Sequence, residues 1–164
     1  MKGKAKNGPL PRIEDKRFAI VSARFYPELA DWLEDGARRG LRDCGVADDA
    51  IERFSVAGCF ELPLACKRLA QSENYDGLVA LGVVVRGETP HFEYVAGECA
   101  RGIMDVQLAL SIPIGFGVLT TQTLEQARER ADPKGGDKGY EAAVAAAGVL
   151  ALEPSKPKRK VGLR

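Results

Sequence analysis

Apolar residues recur along this chain in two patterns, short continuous runs and longer stretches spaced by three and four. The run Gly77-Leu78-Val79-Ala80-Leu81-Gly82-Val83-Val84-Val85 has no polar interruption and is rich in β-branched residues, which predicts a strand over Leu78–Val85 buried on both faces. Shorter runs predict strands over Arg17–Ser22, Ile51–Val56 and Ile112–Leu119. A helix is expected over Pro27–Asp43, with proline in the first turn and Gly45 as the stop. Helical spacing puts Leu62, Ala65, Cys66, Leu69 and Ala70 on one face of Glu61–Ser72, and Val95, Ala96, Cys99, Ile103, Val106 and Leu110 on one face of Phe92–Leu110. Thr123–Ala131 reads as a short charged helix. Tyr140–Leu152 is almost wholly Ala, Val and Leu, a helix that needs cover from the sheet or from another subunit. Four successive strand–helix units with short connections require right-handed crossovers. The expected fold is α/β, a three-layer α/β/α sandwich with a four-stranded, mainly parallel sheet.

The loop after the third strand, Arg86-Gly87-Glu88-Thr89-Pro90-His91, holds the only histidine of the 164 residues. In parallel α/β sheets ligands bind beyond the carboxyl ends of the strands, where this loop would present Arg86, Glu88, Thr89 and His91. Two readings of His91 stand at this point: a cap on the following helix, or a proton-transfer group, since imidazole titrates near neutrality.

Composition narrows the function classes. With 45% hydrophobic and 29% charged residues the chain fits one globular domain, expected over 16–152. The net charge of +1 hides an uneven distribution: residues 1–16 hold five Lys/Arg against two acids and 153–164 five against one, leaving −6 for 17–152. The tails, 1–15 and the basic 153–164, read as solvated, disordered ends, and the acidic body argues against nucleic-acid binding. No apolar stretch suits a membrane span or a secretion signal, so a cytoplasmic location is expected. Cys44, Cys59, Cys66 and Cys99 lack metal-ligand spacing and read as reduced, buried thiols, with Cys59 alone at a loop edge where a ligand could touch it. There is no phosphate loop and no GxSxG elbow, and Gly115-Phe116-Gly117 lacks the rest of a dinucleotide fingerprint.

Taken together, the strand ends carry a family resemblance. They are Ala23-Arg24-Phe25, then Ala57-Gly58-Cys59-Phe60-Glu61-Leu62-Pro63, then Val85-Arg86-Gly87-Glu88-Thr89-Pro90-His91-Phe92-Glu93-Tyr94, then Phe116-Gly117-Val118-Leu119-Thr120-Thr121. Gln126-Ala127-Arg128-Glu129-Arg130-Ala131 and Asp137-Lys138-Gly139-Tyr140-Glu141-Ala142-Ala143 follow. In order and spacing these six motifs resemble the lumazine synthase family over about residues 15 to 152.

The resemblance implies a flavodoxin-like fold and a transferase of riboflavin biosynthesis. The reaction would condense 5-amino-6-(D-ribitylamino)uracil with 3,4-dihydroxy-2-butanone 4-phosphate to 6,7-dimethyl-8-ribityllumazine, with no cofactor and no metal. Carried over by residue, it implies His91 as the catalytic proton-transfer group. Phe25 would stack on the pyrimidine; otherwise it is a core residue at a strand end. Cys59, Phe60 and Glu61 would hold the ribityl chain, although Glu61 also suits a helix first turn as an acid alone. Val83, Val84 and Val85 would meet the uracil edge and Phe116 would close over the ring. Glu88, Thr89, Arg130 and Lys138 would receive the butanone phosphate, with Lys138 open to a second reading as an exposed loop charge. Arg128, two residues from Arg130, would face elsewhere as a solvated charge.

The family also implies a homo-oligomer, at least a ring of five, with Phe25, Glu61 and His91 of one subunit meeting Phe116, Arg130 and Lys138 of the next. Closure of twelve rings into a sixty-subunit shell turns on Asp132-Pro133-Lys134-Gly135-Gly136, and riboflavin synthase would be a partner of such a shell. Tyr26, Gln122 and Thr123 depart from the family's usual asparagine and Glu-Asn. The rival reading is a non-catalytic relative that binds lumazine or flavin, or serves as a shell protein.

Overall fold

The computed structural model describes residues 8–153. Its elements in order are β1 (Phe18–Ala23), α1 (Pro27–Asp43), β2 (Ile51–Val56), α2 (Leu62–Gln71), β3 (Gly77–Val85), α3 (His91–Leu110), β4 (Ile114–Thr121), α4 (Leu124–Ala131) and α5 (Lys138–Leu150), with short 3-10 turns at Asp48–Ala50 and Cys59–Glu61. The four strands pair in the order β2-β1-β3-β4, and every pairing is parallel. The expected three-layer sandwich is therefore the observed one, with an all-parallel sheet in place of a mainly parallel one.

Both faces of β1 and β3 are buried because their alternate side chains feed two different cores. Phe18, Ile20, Val79, Leu81 and Val83 join Leu29, Leu33 and Leu41 of α1 and the alanines of α5 on one side. Ala19, Val21, Leu78 and Ala80 join Leu62 and Cys66 of α2 and Cys99, Ile103 and Val106 of α3 on the other. Burying one such leucine or isoleucine contributes about 1.5–3 kcal/mol before entropy is counted.

Helix α5 lies unusually close to its neighbours. Gly36 and Gly40 of α1 face Tyr140, and a methyl on either would stand 2.9 Å from its backbone. Gly139 in turn sits against the Leu33 carbonyl, and Gly115 of β4 against the Ala142 carbonyl. The Gly115-Phe116-Gly117 segment thus serves helix packing. Ala142, Ala143, Ala146 and Ala147 are buried while Val149 is 55% exposed, so the fold covers one side of this apolar helix.

The division between tail and body expected at residue 15 falls beside a packed residue. Ile13 is buried, and its N–H donates to the Cys44 carbonyl at 2.9 Å. Residues 1–7 and 154–164, which hold part of the first expected tail and most of the second, lie outside the described residues. No helix among the described residues is long and apolar enough to cross a membrane.

Candidate active site

Strand order dictates where a cavity can open. The chain passes from β1 outward to β2, then returns across β1 to β3, so α1 and α2 leave the sheet on opposite faces and a crevice forms beyond the ends of β1 and β3. A cavity of about 630 Å³ lies there, walled by Phe25, Tyr26, Gly58, Cys59, Phe60, Glu61, Val83, Val84, Val85, His91, Tyr94 and Val95. Eight of these are residues expected from the sequence. Phe25 is 71% exposed and Phe60 60%, so both stand free above the crevice, which does not suit the alternative reading of Phe25 as core.

Local chemistry fixes each wall. Phe25 lies between β1 and the N-cap of α1, Tyr26, and packs edge-on against its ring at 5.0 Å between centroids. Arg24, one residue earlier, holds this turn by pairing with Asp31 at 2.8 Å and Glu34 at 3.1 Å on α1. The Glu61 carboxylate accepts from the Gly58 N–H at 2.9 Å, closing the turn that carries Cys59 and Phe60. That leaves the other carboxylate oxygen for hydroxyl donors. Cys59 is buried, and its thiol points at the Val83 carbonyl with 3.8 Å between Sγ and O. Burial pushes this thiol up to about 11, and the missing Cβ of Gly82 gives the sulfur its room. It is a neutral wall at ordinary pH.

His91 opens α3 in its first turn and is exposed. Tyr94, one helical turn on, lines the same cavity, as do Tyr26 and Val95. The sequence reading had given these three no role in the site. The three-residue spacing of His91 and Tyr94 was the available signal for one of them. Glu88 and Thr89 lie in the exposed turn just before His91 and are not part of the cavity wall.

Phe116, Arg130 and Lys138 are elsewhere on the same chain. They line a second cavity of about 590 Å³ along the free edge of β4, together with Gln107, Glu141 and small residues of α5. Phe116 is 43% exposed although it lies in mid-strand, because β4 is the last strand of the sheet. Arg130 donates to the Gln126 carbonyl at 2.9 Å, and Lys138 pairs with Glu141 one turn along α5. Arg128 faces away from this cavity and pairs with Glu28 of α1 at 3.0 Å, so it is an ion-pair partner more than a freely solvated charge.

The departures at residues 122 and 123 have a local account. Thr123 is the N-cap of α4, its hydroxyl accepting from the Gln126 N–H at 3.2 Å, while the Gln126 side-chain Oε1 accepts from the Gln122 N–H at 2.9 Å. Threonine thus does the capping that asparagine does well at such positions. Among the described residues no group of three or more His, Cys, Asp or Glu is placed to hold a metal ion.

The family model described as 6,7-dimethyl-8-ribityllumazine synthase matches residues 15–153. The 6,7-dimethyl-8-ribityllumazine synthase of Halorhodospira halophila (strain DSM 244 / SL1) is 47% identical over 139 residues, covering 85% of this chain and 89% of the relative. That of Desulfatibacillum aliphaticivorans is 49% identical over 133 residues, covering 81% and 86%.

Proposed function

The chain belongs to the 6,7-dimethyl-8-ribityllumazine synthase family, and from that premise we propose that it condenses 5-amino-6-(D-ribitylamino)uracil with 3,4-dihydroxy-2-butanone 4-phosphate at the crevice beyond β1 and β3. It is an enzyme of the transferase class, acting on small molecules in riboflavin biosynthesis. One observation carries the residue assignment: the family-like side chains fall into two separate clusters, Phe25, Glu61 and His91 in one cavity and Phe116, Arg130 and Lys138 in the other. Neither alone has both an aromatic floor with a proton carrier and a pair of cations.

In this reading Phe25 stacks on the pyrimidine, Cys59, Phe60 and Glu61 hold the ribityl chain, and the strand end Val83–Val85 meets the uracil edge. The butanone phosphate lies against Arg130 and Lys138 of an adjacent subunit and against the Glu88–Thr89 turn, near the helix start. The aryl amine attacks the ketone to give a carbinolamine and then an imine. A proton leaves the neighbouring carbon, phosphate departs, and the ring closes with loss of water. His91 shuttles the protons, and holding two reactants together supplies much of the rest, up to about 7–11 kcal/mol for ideal orientation.

Exposed apolar side chains on α2 and α3, Leu64, Met104 and Leu108, support a homo-oligomer, which we take to be a ring of five. Four free, buried thiols suit a reducing compartment such as the cytoplasm. The direct test mixes the protein with both substrates and follows lumazine absorbance above the spontaneous rate. Tight binding of lumazine or flavin without that gain would favour the non-catalytic relative.

A further inference from the structure

Asp137 sits at the hinge between the turn after α4 and the start of α5, with φ 45° and ψ 46°. This is the left-handed region, which side chains other than glycine enter seldom and aspartate more readily than most. Its backbone is used at both ends: the N–H donates to the Asp132 carbonyl at 3.0 Å, and the carbonyl accepts from the Glu141 N–H at 3.2 Å. The carboxylate is used as well. Arg39 of α1 grips it through both terminal guanidinium nitrogens, each at 2.9 Å, while its Nε donates to Asp35 at 2.8 Å. The guanidinium carbon also lies 5.7 Å from the centroid of the Tyr140 ring.

The surroundings are shaped to this clamp. A methyl on Gly36 would stand 2.5 Å from Asp137 Oδ1, so the glycine makes room for the carboxylate. The Asp137 side chain is 21% exposed, and the planar fork fixes its direction as a single ammonium could not. The backbone links the clamped residue to both cations of the second cavity. Lys138 follows it directly, and the Gly136 N–H ties the turn to the Glu129 carbonyl at 2.8 Å, next to Arg130. Arg39 does not line that cavity.

We propose that Arg39 is a positioning residue for Lys138 in the Arg130 and Lys138 half of the active site, acting through Asp137. The proposal rests on the reading of that cavity given above. Without the fork, Asp137 can leave its left-handed conformation and the first turn of α5 shifts, carrying Lys138 with it. Displacing a substrate cation costs affinity and orientation while leaving the Phe25 and His91 cavity as it is.

The test is a double-mutant cycle on the full-length enzyme, with KM for each substrate, kcat and Tm measured for every variant. Arg39→Ala should raise KM for the butanone phosphate about 3- to 10-fold, more than for the pyrimidine, and Arg39→Lys should recover only part of it. In a Lys138→Ala background, Arg39→Ala should add little. Tyr140→Phe is the packing control: it removes the 2.8 Å bond from Tyr140 to Asp43, a second tie between α5 and α1, without touching Asp137. It should lower Tm and leave KM alone. Wild-type kinetics in both Arg39 variants would overturn the inference, as would an equal loss with and without Lys138 or an equal KM change in Tyr140→Phe. Wild-type kinetics in Lys138→Ala would overturn the reading of the cavity itself, and the inference with it. An impaired Lys138→Ala beside an unimpaired Arg39→Ala sinks the inference alone.

Discussion

The guanidinium carbon of Arg86 lies 4.4 Å from the ring centroid of Phe92, and the same guanidinium pairs with Glu93. A residue before the β3–α3 turn thus grips two residues after it. Its backbone N–H also donates to the Thr121 carbonyl at 2.9 Å, fastening the turn to the end of β4. Gly87 to Pro90 have little freedom left, and His91 follows them. A cation over an aromatic face contributes about 0.5–1 kcal/mol when partly exposed, enough to bias a short loop without deciding the stability of the fold.

Arg86→Ala should therefore cost activity more than stability. We expect kcat/KM to fall about 10-fold with little change in Tm. Acid should act in the same direction, because Arg86 holds the Glu93 carboxyl below its usual range. A depressed carboxylate keeps its pairing above the ordinary carboxylate pKa and loses it as pH falls through the lowered one. Faster amide exchange at Gly87, Glu88 and Thr89 in the variant at neutral pH would support this; unchanged exchange with unchanged kcat/KM would refute it.

His91→Ala should slow turnover about 10²-fold or more after the spontaneous rate is subtracted, with dissociation constants for both substrates nearly unchanged. A proton carrier acts mainly in the transition state. Equal losses in binding and turnover would assign His91 to substrate holding.

Much of this was legible from hydropathy, and the misses have physical reasons. The helix over Pro27–Asp43 and the strand over Ile51–Val56 fall where proline, glycine and β-branched residues put them. The fourth strand was expected over Ile112–Leu119 and lies at Ile114–Thr121. Ile112 and Pro113 are buried and apolar, yet the first ladder partner of Leu78 is Ile114, whose N–H is taken by the Gln107 side chain at 2.8 Å. Apolarity reports burial, not pairing. Phe25 shows the same limit in reverse, since nothing in its chemistry distinguishes a core ring from one left standing above a crevice. The grouping of Phe116, Arg130 and Lys138 along one strand edge needed the family resemblance, because they come from three elements with no shared period.

Arg130→Ala should raise KM for the butanone phosphate far more than for the pyrimidine, and Arg130→Lys should stay impaired because a planar fork is replaced by a point charge. Arg128→Ala is the internal control: it loses only its exposed pair with Glu28, worth about 0–1 kcal/mol, and should keep wild-type kinetics. Equal changes in both substrates' KM would make Arg130 a structural residue.

Alkaline pH should unfold the protein early. Burial raises the Cys59 thiol to about 11 and Cys66 and Cys99 to about 12, from 9.0. A group whose pKa is raised on folding contributes stability that is complete below the unfolded value and is lost as pH climbs to the folded one. Tm should then hold up to about pH 9 and fall steeply from there toward pH 11. Cys99→Ala should flatten part of that slope. A Tm that stays level to pH 11 would contradict the burial of these thiols as ionisable groups.

The two-cavity arrangement has a consequence that no single variant can reveal. If the site forms where the Phe25, Glu61 and His91 cavity of one subunit meets Phe116, Arg130 and Lys138 of the next, then His91→Ala and Arg130→Ala damage opposite faces of each subunit. Separately refolded, each variant has every interface defective. Refolded together, a mixed ring contains some interfaces that join an intact His91 face to an intact Arg130 face, and those should turn over. Activity of the co-refolded sample should exceed the sum of the two separate samples, with mixed rings confirmed by native mass spectrometry. If mixed rings form and turnover stays at the sum, each site is built within one chain. The cavity along β4 would then need another role.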